Sequence, residues 1–485
     1  MPRTLLRLLM TMLVTALVAT ACAGNENGDA GKQPPDTTVA EVTGSTAGPT
    51  TTVAPATTAA PTTTAAPTTT TTEPPPPSWT NDELDVVGRV AHDGDVAVVV
   101  ATEDGVTLET VAVEVATGLE LWRAPYTPGG RFGGMGLAGL NVIDGVAVHP
   151  EGDPADPFGT ELVGRDARTG EELWRDEAPL TFGAEVCGDV ACAAVLDPAT
   201  GAYVAVGLDV RSGTRLWAVD GADIDYVTDP DLAVVLTVGP DPYITAVEPA
   251  TGSIRWDVDP EELLGQDMTT GFGWNFVRRD GVVLAYLSRQ IGSPTTYAAT
   301  FALDDVTGEL LWEREDVRIN RWPIDALTVS PWVPDGEFLR IEAIEVLDDL
   351  RSGAATSIEV PLPEDTESRN QIGFGDAAFG PDGGTIFWLV DDDWVGLDAT
   401  TGQPAEIPDV VWEATETELV DLAPILPADR PTVWLREAGY APISSVDRSP
   451  ADVDAAEIPD FVGRTVAGWT VWIDADGALN GVRTG

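Results

Sequence analysis

Asp166-Ala167-Arg168-Thr169-Gly170-Glu171-Glu172-Leu173-Trp174 reads as an acidic residue, two variable positions, threonine, glycine, three variable positions and tryptophan. The same frame returns at Glu114 to Gly118 with Trp122, Asp209 to Gly213 with Trp217, Glu248 to Gly252 with Trp256, and Asp304 to Gly308 with Trp312. Asp349 to Gly353 and Asp398 to Gly402 keep the turn but place Ser357 and Glu406 where tryptophan would stand. Successive glycines are 52, 43, 39, 56, 45 and 49 residues apart. Tryptophan fills only 15 of 485 positions, so five at one offset beyond a glycine mark a repeated structural unit.

The unit reads as a hairpin. Residues before it alternate in strand fashion, as in Tyr243 to Glu248, and the acidic-x-x-Thr-Gly stretch has turn chemistry, with glycine free to take positive φ. The outgoing strand carries the tryptophan, whose ring can bury against a neighbouring sheet, so Trp122, Trp174, Trp217, Trp256 and Trp312 are the expected blade-docking residues. Upstream runs such as Asp144 to His149, Gly281 to Tyr286 and Gly384 to Val390 supply further strands, about four per period. A lone sheet of this kind leaves a face in water, which predicts an all-β fold: a β-propeller of four-stranded blades, about eight of them. The worn stretch from Pro431 to Pro450 leaves seven or nine open. Asp197-Pro198-Ala199-Thr200-Gly201 imitates the motif with Ala205 in the tryptophan position and is expected to be a turn inside a blade. The last turn, Arg483-Thr484-Gly485, lacks its tryptophan strand, while Ser78-Trp79-Thr80 stands unpaired at the other end; the Trp79 strand is expected to complete the last blade.

On these residues the chain resembles the PQQ-type propeller repeat family, which includes quinoprotein dehydrogenases and BamB-like lipoproteins of outer-membrane protein assembly. The resemblance runs from about Trp79 to Gly485, strongly to Trp312 and loosely after Gly402, and implies eight blades. The dehydrogenase branch holds its quinone with a disulfide between adjacent cysteines, aromatic stacking, calcium ligands and a catalytic aspartate. This sequence has no adjacent cysteine pair, which favours the BamB-like side: no enzyme, no cofactor and no metal are expected.

Flanking segments place the propeller. Residues 1–21 have the layout of a lipoprotein signal, with a basic start, an apolar run too short for a comfortable span, and Ala19-Thr20-Ala21 before Cys22, the expected lipidation site. Residues 22–78 are rich in threonine, alanine and proline and lack the apolar side chains that offset ordering entropy. They read as a disordered stalk, reaching about 170 Å if fully extended at ~3.1 Å per residue. Residues 79–485 form the propeller. The expected location is extracytoplasmic, held by the Cys22 lipid on the outer face of the cell membrane. A formal net charge of -54 argues against nucleic acid and against membrane contact other than through the lipid.

Cys187 and Cys192 lie where a turn at Asp189-Val190 would set them face to face, which predicts a disulfide in an exported protein. His92 and His149 are the only histidines, too few to complete a zinc site. No nucleophile elbow or phosphate loop is present, and Asp391-Asp392-Asp393 reads as a solvated turn. Propellers bind through loops at the channel rim, and three stretches carry suitable residues: Arg131 and Phe132 in a glycine-rich loop, Trp274, Arg278 and Arg279, and Asp223 with Asp225. Assembly-factor relatives carry a similar Asp-x-Asp that helps dock their partner. The expected activity is a monomeric scaffold binding envelope proteins; the rival reading is an enzyme or sensor that binds PQQ or a sugar.

Overall fold

Val96–Thr102 and Val190–Leu196 are buried at every position, the mark of middle strands covered on both faces by other sheets. A computed structural model describes residues 78–484, leaving out 88–89, 103–106, 128–138, 153–159, 198, 230, 238–241, 266–271, 291–294, 322–326, 336–337, 366–377, 382–383, 391–392, 399–400, 415–418, 422–432, 436–439, 452, 454–457, 460–461 and 475–476. The described chain is nearly all strand and forms eight antiparallel sheets in a ring, an eight-bladed β-propeller.

Blade 1 contains Asp85–Val86, Ala91–Asp93, Val96–Thr102, Leu108–Glu114 and Glu120–Pro125. Blade 2 runs from Asn141–Ile143 through Val146–Gly152 and Thr160–Asp166 to Glu172–Asp176. Blade 3 follows from Leu180–Cys187 to Arg215–Asp220, and blade 4 from Ala222–Asp229 to Ile254–Val258. Blade 5 spans Phe272–Arg279 to Leu310–Glu315, and blade 6 Val317–Arg321 to Ala354–Ile358. Within blades 2 to 5 consecutive strands are neighbours.

Four strands per blade is therefore right for most of the ring but not all of it. Blades 1 and 6 each add a short strand. Blade 7 has five, joining Ala378–Phe379, Thr385–Val390 and Asp393–Asp398 to Val410–Ala414 and Tyr440–Ser444. The worn stretch thus supplies an edge strand to blade 7, and Val433–Leu435 pairs separately with Leu419–Asp421. Blade 8 takes three strands from Arg464–Val466, Trp469–Ile473 and Leu479–Arg483. Its fourth is Ser78–Asn81, antiparallel to the last of these with Trp79 opposite Gly481. The ring is closed by the expected strand.

The core is distributed between the blades instead of gathered at one centre. Separate apolar clusters fill the joints between blades 8 and 1, 1 and 2, 2 and 3, 3 and 4, 4 and 5, 5 and 6, and 6 and 7. In each of the first six, an indole reaches across. Trp122 donates its Nε1–H to Ala167 O at 2.8 Å, Trp174 to Val210 O at 2.6 Å, Trp217 to Pro249 O at 2.8 Å, Trp256 to Asp305 O at 2.9 Å and Trp312 to Leu350 O at 2.7 Å. Each acceptor lies in the motif turn of the next blade. Trp79 does the same toward Val115 O at 2.8 Å, so it is a sixth member of the set.

The motif glycine is required because the ring lies against it. At Gly213, where φ is +65°, a Cβ would sit 2.7 Å from the Trp174 ring. Gly201, in the imitation motif, has φ +70° and nothing within 4 Å, and its turn joins two strands inside blade 3, as expected. Where blade 6 lacks tryptophan, Val346 and Ile358 stand 3.4 and 3.8 Å from where a Cβ on the blade 7 glycine, Gly402, would lie.

Candidate functional site

The turns that receive the indoles form a polar surface whose charges serve the ring. Asp166 Oδ1 accepts from Arg168 N, Thr169 N and Thr169 Oγ1, and Asp209 and Asp304 repeat the pattern. Such bonds favour the carboxylate: the Thr169 amide holds Asp166 below its ordinary range, and the Ser212 hydroxyl does so for Asp209. Asp304 is lowered to about 2, chiefly by Arg351. Arginines at the third motif position then tie neighbouring blades: Arg168 to Asp95, Arg211 Nε to Asp144 Oδ2 at 2.7 Å, and Arg351 Nη2 to Asp304 Oδ2 at 2.5 Å. Each arginine is exposed, so these pairs orient the turns and contribute little to stability.

The first strands of blades 4 and 5 lie side by side and bring two of the expected binding stretches into one sector. Asp223 and Asp225 are in Ala222–Asp229, with Asp223 opposite Leu236 and a register shift between Ile224 and Thr228. Trp274 lies in Phe272–Arg279 opposite Leu287. Arg278 is mostly buried and donates through Nε and Nη2 to Asp305 Oδ2 at 2.9 and 2.7 Å, so it fastens the motif turn of its own blade. Arg279 is more exposed and pairs with Asp280 at 3.6 Å. Arg131, Phe132 and Cys22 lie outside the described residues.

A polar cluster in blade 2 was not foreseen from sequence. His149 is fully buried; its Nδ1 is 2.9 Å from Thr110 Oγ1 of blade 1, and its Nε2 is 3.5 Å from Glu151 Oε1. Glu151 accepts from Arg165 at 2.9 and 2.7 Å and from Arg175 at 2.7 Å, and Arg175 also reaches Glu161 and Glu172 at 2.9 Å. Burial, then the charges of Arg165 and Arg175, push His149 down to about 3, so it is neutral near pH 7. The arginines bridge the carboxylates, and the His149–Thr110 contact ties the cluster to blade 1 instead of poising an acid and a base. A signal existed in the Glu and Arg residues recurring on three successive strands, but so acidic a chain hides it.

Cys187 and Cys192 form a disulfide with Cα atoms 6.0 Å apart. The turn falls at Gly188-Asp189, one residue earlier than expected: Cys187 faces Val190, and Cys192 faces Glu185, so the bond runs diagonally on one face of the hairpin. Both cysteines are buried with Trp217 and Val235 in the joint between blades 3 and 4. A bond enclosed there offers no surface for a quinone ring to rest on. Among the described residues no group of three or more His, Cys, Asp or Glu is placed to hold a metal. The described residues do not fit the quinone and its calcium.

Residues 36–257 match the family model described as outer membrane protein assembly factor BamB. Over that stretch the chain is similar to the PQQ-type propeller repeat. Similar solved structures include BamB from Moraxella catarrhalis, at 13% identity over 84% of this chain and 98% of that one, TM-score 0.38. Quinohemoprotein alcohol dehydrogenase from Comamonas testosteroni is 13% identical over 84% and 76%, TM-score 0.39. Sqt1 from Saccharomyces cerevisiae is 10% identical over 84% and 97%, TM-score 0.40. No curated protein matches this chain.

Proposed function

We propose that this protein is a non-enzymatic cell-envelope lipoprotein whose propeller is a docking scaffold for other envelope proteins. The observation that carries the reading is the match of residues 36–257 to the assembly-factor family. Two features of the site support it. Many of the charged groups described at the turns and in blade 2 are engaged in ion pairs within or between blades, which suits a rigid platform better than a reaction centre. The strands containing Asp223, Asp225, Trp274 and Arg279 lie next to one another, so the expected binding stretches share one sector. Anchoring through Cys22 would hold this platform on the outer face of the membrane, with the Thr/Pro stalk as spacer.

The test is cross-linking in intact envelopes followed by recovery of the protein, with an Asp223→Ala/Asp225→Ala variant beside the wild type. Discrete partners lost in the variant are the expected result. Adding PQQ with calcium and following dye reduction is the counter-test; sustained turnover would overturn the scaffold reading. Fatty-acid labelling that persists in Cys22→Ser would overturn the anchor.

A further inference from the structure

Six blades end in a strand carrying the docked indole, and in the five motif blades that strand is bulged. The pairing skips one residue just before tryptophan, between Glu172 and Trp174 in blade 2 and at the matching step in blades 1, 3, 4 and 5. Each of those strands also carries Glu, Asp or Arg. Bulges and charges are the usual guards of a sheet edge, because they spoil it as a template for another strand.

Ala354–Ile358, the last strand of blade 6, has neither guard. Its sequence is Ala-Ala-Thr-Ser-Ile. The bulge has moved to the third strand, at Asp348, so Ala355 to Ile358 pair residue by residue with Leu347 to Ile344. Ala354, Thr356 and Ser357 are exposed, and among the described residues the strand pairs only with Ile344–Asp349. Blade 8 ends in an uncharged strand too, but that one is four residues long and directly follows Pro74 to Pro77. The tyrosine-led edge strand of blade 7 contains Pro442. Among the described residues blade 6 therefore presents a straight, uncharged edge whose outer side pairs with no other strand.

We infer that Ala354–Ile358 is a β-augmentation site, where an extended, basic segment of a partner protein adds a further strand at the outer edge of blade 6. This rests on the scaffold reading and gives it a place and a partner chemistry. The sign of the charge comes from the surroundings. Asp348 and Asp349 on the neighbouring strand and Glu359 directly after Ile358 are exposed at this edge. The nearby cations are engaged, Arg351 with Asp304 and Arg314 with Glu345. A second copy of this chain would bring its own net charge of -54 to the same edge, which disfavours pairing between copies. A strand alternating apolar residues with Lys or Arg meets the backbone groups and the acidic rim together.

The experiment is hydrogen exchange on the full chain with an acetylated, amidated peptide of alternating valine and arginine, against one of valine and glutamate. Thr356→Lys/Ser357→Lys, at two exposed positions, restores the missing guard without touching the core. The Val/Arg peptide should slow exchange in Ala354–Ile358 by about tenfold or more. The Val/Glu peptide should have less effect, and the double-lysine variant should lose the protection with an unchanged melting curve. Equal protection of the tryptophan strands, no protection anywhere, or protection that grows with protein concentration and needs no peptide would overturn the inference. Envelope partners still captured by the double-lysine variant would overturn this edge as their docking site while leaving the scaffold standing. If the wild type captures none but the peptide still protects the strand, only the scaffold reading fails.

Discussion

Replacing Trp79 with alanine tests whether the ring is held shut by the strand at residues 78–81. The indole packs between Gly118 of blade 1 and Gly481 of its own blade, and its Nε1–H bonds Val115 O at 2.8 Å. Truncating a core tryptophan costs about 3–5 kcal/mol; Trp79 is half-buried, which places the loss near 3 kcal/mol. At ~2.1 cal/mol/K per residue, a propeller of roughly 400 residues unfolding as one unit would melt about 3–4 °C lower. Trp79→Phe keeps most ring contact and loses only the hydrogen bond, about 1 kcal/mol and roughly 1 °C. Location separates closure from general weakening. Hydrogen exchange in Leu479–Arg483 should accelerate in Trp79→Ala but not in Trp256→Ala, which removes a comparable contact between blades 4 and 5. An unchanged melting temperature with unchanged exchange at Leu479–Arg483 would refute the closure argument.

Gly213→Ala should lower stability by about 3 kcal/mol, combining the positive-φ penalty with overlap against Trp174, while Gly201→Ala should cost only about 1–2 kcal/mol because its space is open; paired denaturant titrations give the difference. Cys192→Ser should expose one titratable thiol at Cys187 and reduce stability by about 2 kcal/mol, as a short closed loop predicts; a full complement of free thiols in the wild type would refute the bond. Stability should fall with pH in two stages. The unfolded chain takes up a proton on His149 below its ordinary 6.5, which the folded protein refuses until about 3, so the first decline runs between those values and should vanish in His149→Gln. The turn aspartates, depressed when folded, contribute stability above their ordinary 3.8, and for Asp304 that contribution is lost on acidification toward about 2; Asp304→Asn should flatten this second part in thermal melts.

The ring was legible because one large side chain marks each joint. A tryptophan four residues past a glycine is rare by composition, and its reason is local, an indole laid on a residue without Cβ. Ring closure could be read from a half-motif at either end. Blades 6 and 7 were harder, because Val346 and Ile358 replace the indole with common aliphatic residues that carry no sequence signature. The disulfide was readable from spacing, though the turn between its cysteines shifted by one residue to use Gly188 at φ +65°. The candidate site was least legible. Arg278 looked like an interface residue, yet it is bonded to Asp305, 27 residues away, and the His149 cluster forms only when strands of two blades meet. The unguarded edge of blade 6 is defined by what its neighbours have and it lacks, so single-segment reading passes over it.

The hydrogen bond from Thr80 to Asn480 joins residues 400 positions apart in the chain. A polypeptide made from its amino end exposes the Trp79 strand before every other strand of the propeller and its partner after them, so the joint between blades 8 and 1 must wait for the rest of the ring. Contacts so distant in sequence form slowly, because a very long loop has to be drawn in before they give anything back. The intermediate is an open arc of stacked sheets with one apolar flank bare at each end, vulnerable to self-association until the final hairpin arrives.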